Sequence, residues 1–364
     1  MKKHIHGGNI YQYENCLDFS ANCNPLGTPE AVKRAARESL SHIQQYPRVD
    51  CGPLRKAIGA YEGVDWQKVV CGNGAAELIF SLCRAAKPKR ALIPAPTFAE
   101  YEQALESVDC RVDHFLLEER TGFALPADFA EAIGEDTDMI FLCNPNNPTG
   151  ILTGRDRLLE ILDVCREKRV LAVVDECFLD FVREPEAYTL KNELDRYRNL
   201  LILKAFTKRY AMAGLRLGYG LCADEELLER MEAVTQPWNV STVAQEAGVA
   251  ALLETDYVEA GRKLVFEEAG RLKEKLTELG LTVFPSAANY IFFRGPEGFF
   301  EDCVREGILI RDCSNYPGLG AGYYRIAVKL PEENKRLIDA FGKILGRGIA
   351  PGKQSGSGCR QKGE

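Results

Sequence analysis

The sequence predicts an α/β protein with a large domain on a mostly parallel sheet, followed by a smaller C-terminal α+β domain. Three observations predict it. Short continuous apolar runs, such as Met139–Cys143, Val170–Val174 and Leu200–Leu203, alternate with periodic helical segments. Polar, Gly- and Asn-rich motifs follow those runs, where an open parallel sheet gathers its ligand-binding loops. After Asp224 the pattern changes to one long charged helix and then short strands interleaved with helices.

Residues 1–27 lack periodicity, and HGGNI and DFSANCNPLG are dense in Gly, Asn and Pro, so a loop-rich arm is expected. Pro29–Leu40 and Cys51–Tyr61 read as helices on either side of the Tyr46-Pro47 turn. A helix over Glu77–Ala86 follows Gly72-Asn73-Gly74, Arg90–Ile93 is a short strand, and Pro96–Ser107 opens another helix. Met139–Cys143 ends at NPNNPTG, Arg155–Arg169 is a periodic helix, Val170–Val174 ends at Asp175-Glu176, and Leu200–Leu203 ends at a lysine loop. Asp224 caps the helix DEELLERMEAV. Beyond it come a helix over Asp256–Leu279 and strands at Thr282–Phe284, Tyr290–Arg294, Ile308–Arg311 and Tyr323–Val328, with helices at Phe299–Glu306 and Pro331–Leu345. The expected organisation is an arm and part of the small domain (1–40), a large domain (41–235), a small domain (236–346) and a disordered Gly/Ser/Lys-rich tail (347–364).

The chain has 364 residues, enough for two lobes, and its 46% hydrophobic and 27% charged content is that of a soluble globular protein. A net charge of −7 argues against nucleic acid or anionic membrane as partner. No run approaches the ~18 apolar residues of a membrane span, and the polar start MKKHIHGGN is no signal peptide. Thirteen scattered cysteines without a C-x-x-C pair fit reduced, buried thiols in a cytoplasmic protein, and no ligand set for a metal stands near His4 or His6.

The chemistry centres on LLILKAFTKRYAMAGLRLGY, residues 200–219. A lysine at the mouth of a sheet can lose its proton and form a Schiff base with an aldehyde, and Lys208 stands just beyond a strand end. Alone it would pass for a surface lysine. Together with Asp175 after one strand, NPNNPTG after another and GNG before a helix, it resembles the fold-type-I, pyridoxal-phosphate-dependent aminotransferase superfamily over nearly the whole chain, to about residue 345. The resemblance implies pyridoxal 5′-phosphate as cofactor and a homodimer with shared sites. Lys208 would carry the cofactor, Asp175 would pair with its pyridinium, Asn147 would bond its O3′ and Phe98 would stack on its ring. Gly74, Ala75 and Ala76 would open a helix onto its phosphate, with Arg216, Thr207 and, from the neighbouring subunit, Tyr46. Two departures stand out: Ala205 occupies a position where relatives commonly carry a phosphate-binding serine, and Phe178 replaces a tyrosine that donates to O3′.

Within that superfamily HGGNI, LDFSANCNPLG and ILIRDCSNYPGLGAGYYRIAVK resemble the threonine-phosphate decarboxylase family of cobalamin biosynthesis. That family converts L-threonine O-3-phosphate to (R)-1-amino-2-propanol O-2-phosphate and CO₂. The resemblance implies that Arg325 binds the substrate α-carboxylate, and that His6, Gly7, Gly8, Asn22 and Arg311 gather its phosphate, with Asn147 also in reach. Histidinol-phosphate aminotransferase, which uses 2-oxoglutarate and glutamate, shares the Tyr-Pro, NNPTG and ILIR-like motifs and stays open at this stage. So does a cofactor-binding sensor or scaffold without catalysis. Serine phosphate differs from threonine phosphate by one methyl, and no residue identifies itself as the reader of that methyl.

Overall fold

The structure, a computed structural model, describes residues 7–8, 10–346 and 360–361. Its main sheet has seven strands: β1 (Val69–Gly72), β2 (Arg90–Ala95), β3 (Arg111–Leu116), β4 (Met139–Cys143), β5 (Leu171–Asp175), β6 (Leu200–Ala205) and β7 (Gly218–Cys222). Their order is β1-β7-β6-β5-β4-β2-β3. Only β7 runs against its neighbours, so the carboxyl ends of β1, β2, β4, β5 and β6 share one edge.

The apolar runs are buried on both faces, and the pleat sorts them with a period of two. In β4, Met139, Phe141 and Cys143 join one core with Val173 and Leu201. Ile140 and Leu142 join the opposite core with Val174 and Ile202. The helices that cover these faces include α1 (Glu30–Ser39), α2 (Gly52–Glu62), α3 (Ala75–Ala86), α4 (Glu100–Glu106) and α5 (Arg155–Glu167). Next come α6 (Phe206–Arg209), α7 (Glu225–Val234), whose Asp224 cap accepts from the Leu227 N–H, and α8 (Thr242–Ala251). The long helix α9 (Thr255–Glu278), with α10 (Phe299–Arg305) and α11 (Pro331–Ile344), packs on a second sheet. That sheet is antiparallel: β8 (Thr282–Val283), β9 (Tyr290–Arg294), β10 (Arg311–Asp312) and β11 (Tyr323–Ala327), in the order β8-β9-β11-β10.

Several expectations change in detail. The helix expected from Pro96 begins at Glu100, because residues 96–98 carry the chain off β2 without helical turns. The strand expected over Ile308–Arg311 divides. Ile308–Leu309 pairs in parallel with Leu17–Asp18 of the arm, and Arg311–Asp312 pairs with β11. That parallel pair ties the arm to the segment leading into β10. Of the tail, residues 360–361 are described, and they pair with Tyr13–Glu14. Among the described cysteines eleven are free, ten of them buried, whereas Cys16 is disulfide-bonded, a departure from the expectation of reduced thiols throughout. No helix among the described residues is long and apolar enough to cross a membrane.

Candidate active site

A cavity of about 290 Å³ opens at the shared carboxyl edge of the main sheet, beneath the second sheet. Ala75 and Ala76 reach it from the start of α3, Phe98 from the β2–α4 loop, Asn147 from the loop after β4 and Asp175 from the end of β5. Thr207, Lys208 and Arg216 enter from the loop after β6, and Gly7, Asn22, Arg311 and Arg325 close the far side. Twelve of the residues singled out from sequence thus line one cavity.

One end is built for a phosphate. Helix α3 has no side-chain cap at Gly74, so its first N–H groups face the cavity unoccupied by the protein's own side chains. Two glycines make the geometry possible. Gly74 has φ +83°, and a Cβ there would meet Arg216 Nη2 at 2.5 Å; a Cβ on Gly218 would meet the Ala75 nitrogen at 2.4 Å. Arg216 thereby lies flat against the turn, supplying the charge that helix N–H groups alone lack.

The middle holds the acid and the lysine. Asp175 is buried; its Oδ1 accepts from the Cys177 N–H at 2.9 Å and its Oδ2 from the Tyr101 hydroxyl at 2.6 Å. Burial pushes its carboxyl above the usual range, and the hydrogen bonds from Cys177 and Tyr101 oppose that rise. Lys208 Nζ stands 5.6 Å from the centre of the Phe178 ring, which meets Tyr290 edge-on at 4.9 Å. Phe178 is therefore a wall, and the donor missing at this position is not replaced by Tyr290, whose hydroxyl donates to the Asn146 carbonyl at 2.7 Å.

The far end gathers two buried arginines. Arg311 and Arg325 are register partners on β10 and β11 and only 5% and 6% exposed. Arg325 donates to Asn147 Oδ1 and, at 2.8 Å, to the Ser20 carbonyl. With its oxygen turned inward, the Asn22 amide accepts from Arg325 Nε and Nη1 at 3.3 Å. All of these acceptors are neutral, and a buried guanidinium bonded to neutral oxygens favours an anionic ligand. Arg311 stacks 5.2 Å from the Tyr316 ring centre and donates to Asn315 Oδ1 at 2.9 Å.

Three expected residues do not line the cavity. Gly74 precedes the lining Ala75, and Gly8 follows the lining Gly7, its N–H donating to Ser20 Oγ at 2.8 Å. Tyr46 is 79% exposed and stacks on Trp238 with ring centres 4.5 Å apart, away from this chain's own cavity. His6 lies outside the described residues. Sequence reasoning missed Ser20, Glu100, Tyr101 and Tyr316. Tyr101 had a signal: it stands three residues past Phe98 in the same motif, one turn along the chain.

Residues 14–341 match the Aminotransferase class I and II family. The chain belongs to that family. Threonine-phosphate decarboxylase of Salmonella typhimurium is 38% identical over 95% of this chain and 98% of its own length. Among solved structures, histidinol-phosphate aminotransferase from Clostridium acetobutylicum superposes with a TM-score of 0.85 at 29% identity, covering 91% of this chain and 99% of the other. L-threonine-O-3-phosphate decarboxylase from Porphyromonas gingivalis gives 0.80 at 27%, covering 90% and 99%. The aminotransferase fold is common to both activities, so the fold does not separate them; the sequence identity favours the decarboxylase.

The residues present fit pyridoxal 5′-phosphate, the cofactor of this enzyme. The uncapped turn with Arg216 suits its phosphate, a buried carboxylate suits its ring nitrogen, and Lys208 faces the space between.

Proposed function

We propose that the protein is a pyridoxal-phosphate-dependent carboxy-lyase. It takes L-threonine O-3-phosphate to (R)-1-amino-2-propanol O-2-phosphate and CO₂ in cobalamin biosynthesis. The observation that carries the reading is the pair of buried guanidinium groups, Arg311 and Arg325, opposite Lys208. Two arginines at one end, apart from the arginine at the other, suit a substrate with both a carboxylate and a phosphate. The 38% identity along nearly the full Salmonella enzyme selects the decarboxylase among the phosphate-using branches.

The roles follow from where the side chains stand. When bound, the cofactor supplies an aldehyde for an amine and a ring that accepts the electron pair of a bond broken at Cα. Lys208 would hold the cofactor's aldehyde until the substrate amine takes it. Asp175, kept as an acceptor by Tyr101 and the Cys177 N–H, would hold a proton at the ring nitrogen. Arg325 would grip the α-carboxylate, while Arg311, Asn22, His6 and the Gly7 backbone would take the phosphate; the Gly8 N–H is already given to Ser20 Oγ. Phe98 would pack on one ring face, and Asn147, its oxygen occupied by Arg325, would have its N–H protons left for O3′. Two fixed anion sites would orient the substrate Cα and so choose which of its bonds is broken. Lys208 or water would return a proton to Cα.

Tyr46, projecting from the surface with Trp238, would complete the phosphate site of a second subunit in a cytoplasmic homodimer. The test is a pair of incubations of the cofactor-loaded protein. One contains L-threonine O-3-phosphate without a keto acid, the other L-histidinol phosphate with 2-oxoglutarate. CO₂ and aminopropanol phosphate in the first and no glutamate in the second are expected. Glutamate in the second with no CO₂ in the first would move the chain to the aminotransferase activity.

A further inference from the structure

One short piece of chain, Ser20–Asn24, joins the arginine end of the cavity to the lysine. At its start the Ser20 carbonyl accepts from Arg325 Nη2 at 2.8 Å. At its middle the Asn22 carbonyl accepts from Asn289 Nδ2 at 3.1 Å. At its end stands Asn24, 4% exposed. Its main-chain N–H donates to the Lys208 carbonyl at 2.9 Å, and its Nδ2 donates to the Arg209 carbonyl at 3.0 Å. Its Oδ1 accepts from the Leu26 N–H at 3.1 Å, which fixes the amide orientation. The two carbonyls close α6, the four-residue helix that carries Lys208, where terminal carbonyls lack regular helical partners.

Helix α9 holds this clamp in place. A Cβ on Gly261 would stand 2.4 Å from Asn24 Nδ2, so the helix backbone lies directly against the amide. From the other side of α6, Arg209 Nε lies 2.7 Å from Asp180 Oδ2, and the Asp180 carbonyl accepts from Arg262 Nε of α9 at 2.9 Å.

We propose that Asn24 is a positioning residue for the reaction: it sets where the Lys208 amine stands relative to the Arg325 anion site. It touches neither cofactor nor substrate and acts through the backbone of α6. The choice between losing CO₂ and losing the Cα proton depends on two placements, the carboxylate at Arg325 and the amine at Lys208. Ser20–Asn24 ties these together within five residues. A misplacement of about 1 Å in such a site costs up to about 100-fold in rate. The proposal rests on the functional reading above for its substrate, but not for its effect on Lys208.

The experiment compares holoenzyme of wild type, Asn24→Ala, Gly261→Ala and Thr28→Val. Thr28→Val removes the 2.7 Å bond from Thr28 Oγ1 to the Ala211 carbonyl, two residues beyond the end of α6, and leaves both Asn24 bonds in place. One readout is the share of threonine-phosphate turnovers that end in amino transfer to the cofactor instead of CO₂ release. The other, free of amino-acid substrate, is the rate at which hydroxylamine draws the cofactor from Lys208. Asn24→Ala and Gly261→Ala are expected to raise the transfer share roughly tenfold and to lower kcat roughly 10- to 100-fold, with KM within about threefold. The hydroxylamine rate is expected to change by about tenfold, and Thr28→Val should leave both readouts at wild type. If Asn24→Ala does not fold, Gly261→Ala decides. Wild-type values in the folded variants overturn the proposal, as does an equal shift in Thr28→Val. A wild type that releases no CO₂ instead overturns the functional reading, and the hydroxylamine rate then decides for Asn24 alone.

Discussion

A buried aspartate that holds a proton on a ring nitrogen must itself be charged, yet burial pushes the Asp175 carboxyl above its usual range. The Cys177 N–H and the Tyr101 hydroxyl offset this by donating to its two oxygens. A hydrogen bond to a charged group contributes about 1.5–3 kcal/mol. Tyr101→Phe is therefore expected to lower kcat by about tenfold or more with KM little changed, because the lost bond acts on the ring nitrogen and not on either anion site. Steady-state kinetics check this; an unchanged kcat would remove Tyr101 from the account. Lys208, Asp175, Asn147 and Arg325 were legible in the sequence because their neighbours form motifs with fixed local geometry. Tyr101, Ser20 and Asn24 were not, because their partners are 74, 305 and 185 residues away in the chain. Asp175, Arg325 and Arg209 become those partners only when the two sheets and the arm have packed.

At the scale of elements, the strands that set the site edge carry their own buried electrostatics. Lys204, the next-to-last residue of β6, lies 3.2 Å from Glu62 of α2 and 3.4 Å from Glu176, the residue after Asp175. Arg209, next to Lys208, is 3.7 Å from Glu62, and the Tyr219 hydroxyl donates to the same carboxylate. This network braces β5, β6 and α6 from behind the cavity. Burial would raise the Glu62 carboxyl, but Lys204, Arg209 and Tyr219 outweigh it and hold it down to about 2, against an ordinary 4.5. Its stabilisation is thus complete above about 4.5 and is lost as the pH falls toward 2. Glu62→Gln is expected to cost about 1.5–3 kcal/mol at neutral pH, the loss of hydrogen bonds to a charged group, because Lys204 keeps Glu176 and Arg209 keeps Asp180 as partners. It should also flatten the acid limb of stability against pH. Denaturant unfolding between pH 7 and 3 checks both, and a variant with the wild-type acid limb would contradict the assignment. Long apolar runs and periodic helices were readable in advance. The strands β1, β3 and β7 and the helix α8 were not: β7 is GYGLC, with two glycines, β3 is an edge strand with partly exposed side chains, and α8 is rich in Ala and Gly with little contrast between its faces.

For the whole molecule, the architecture brings the carboxyl edge of one sheet against two arginines of another, so that the uncapped start of α3, Arg216, Lys208 and the Arg311–Arg325 pair line one cavity. The two-sheet organisation was legible from the change of pattern after Asp224. The tie between the arm and the segment leading into β10 was not, because Leu17–Asp18 and Ile308–Leu309 are two-residue strands that only their pairing defines. Whether this arrangement directs cleavage to the bond between Cα and the carboxylate is measured directly by label release. Holoenzyme is given L-threonine O-3-phosphate labelled at the carboxyl carbon, with no keto acid, and released label is counted per cofactor. Many equivalents of labelled CO₂ are expected, matched one to one by aminopropanol phosphate. Release that stops at or below one equivalent, with the label retained in a keto acid and the cofactor left in its amine form, would contradict that direction of cleavage.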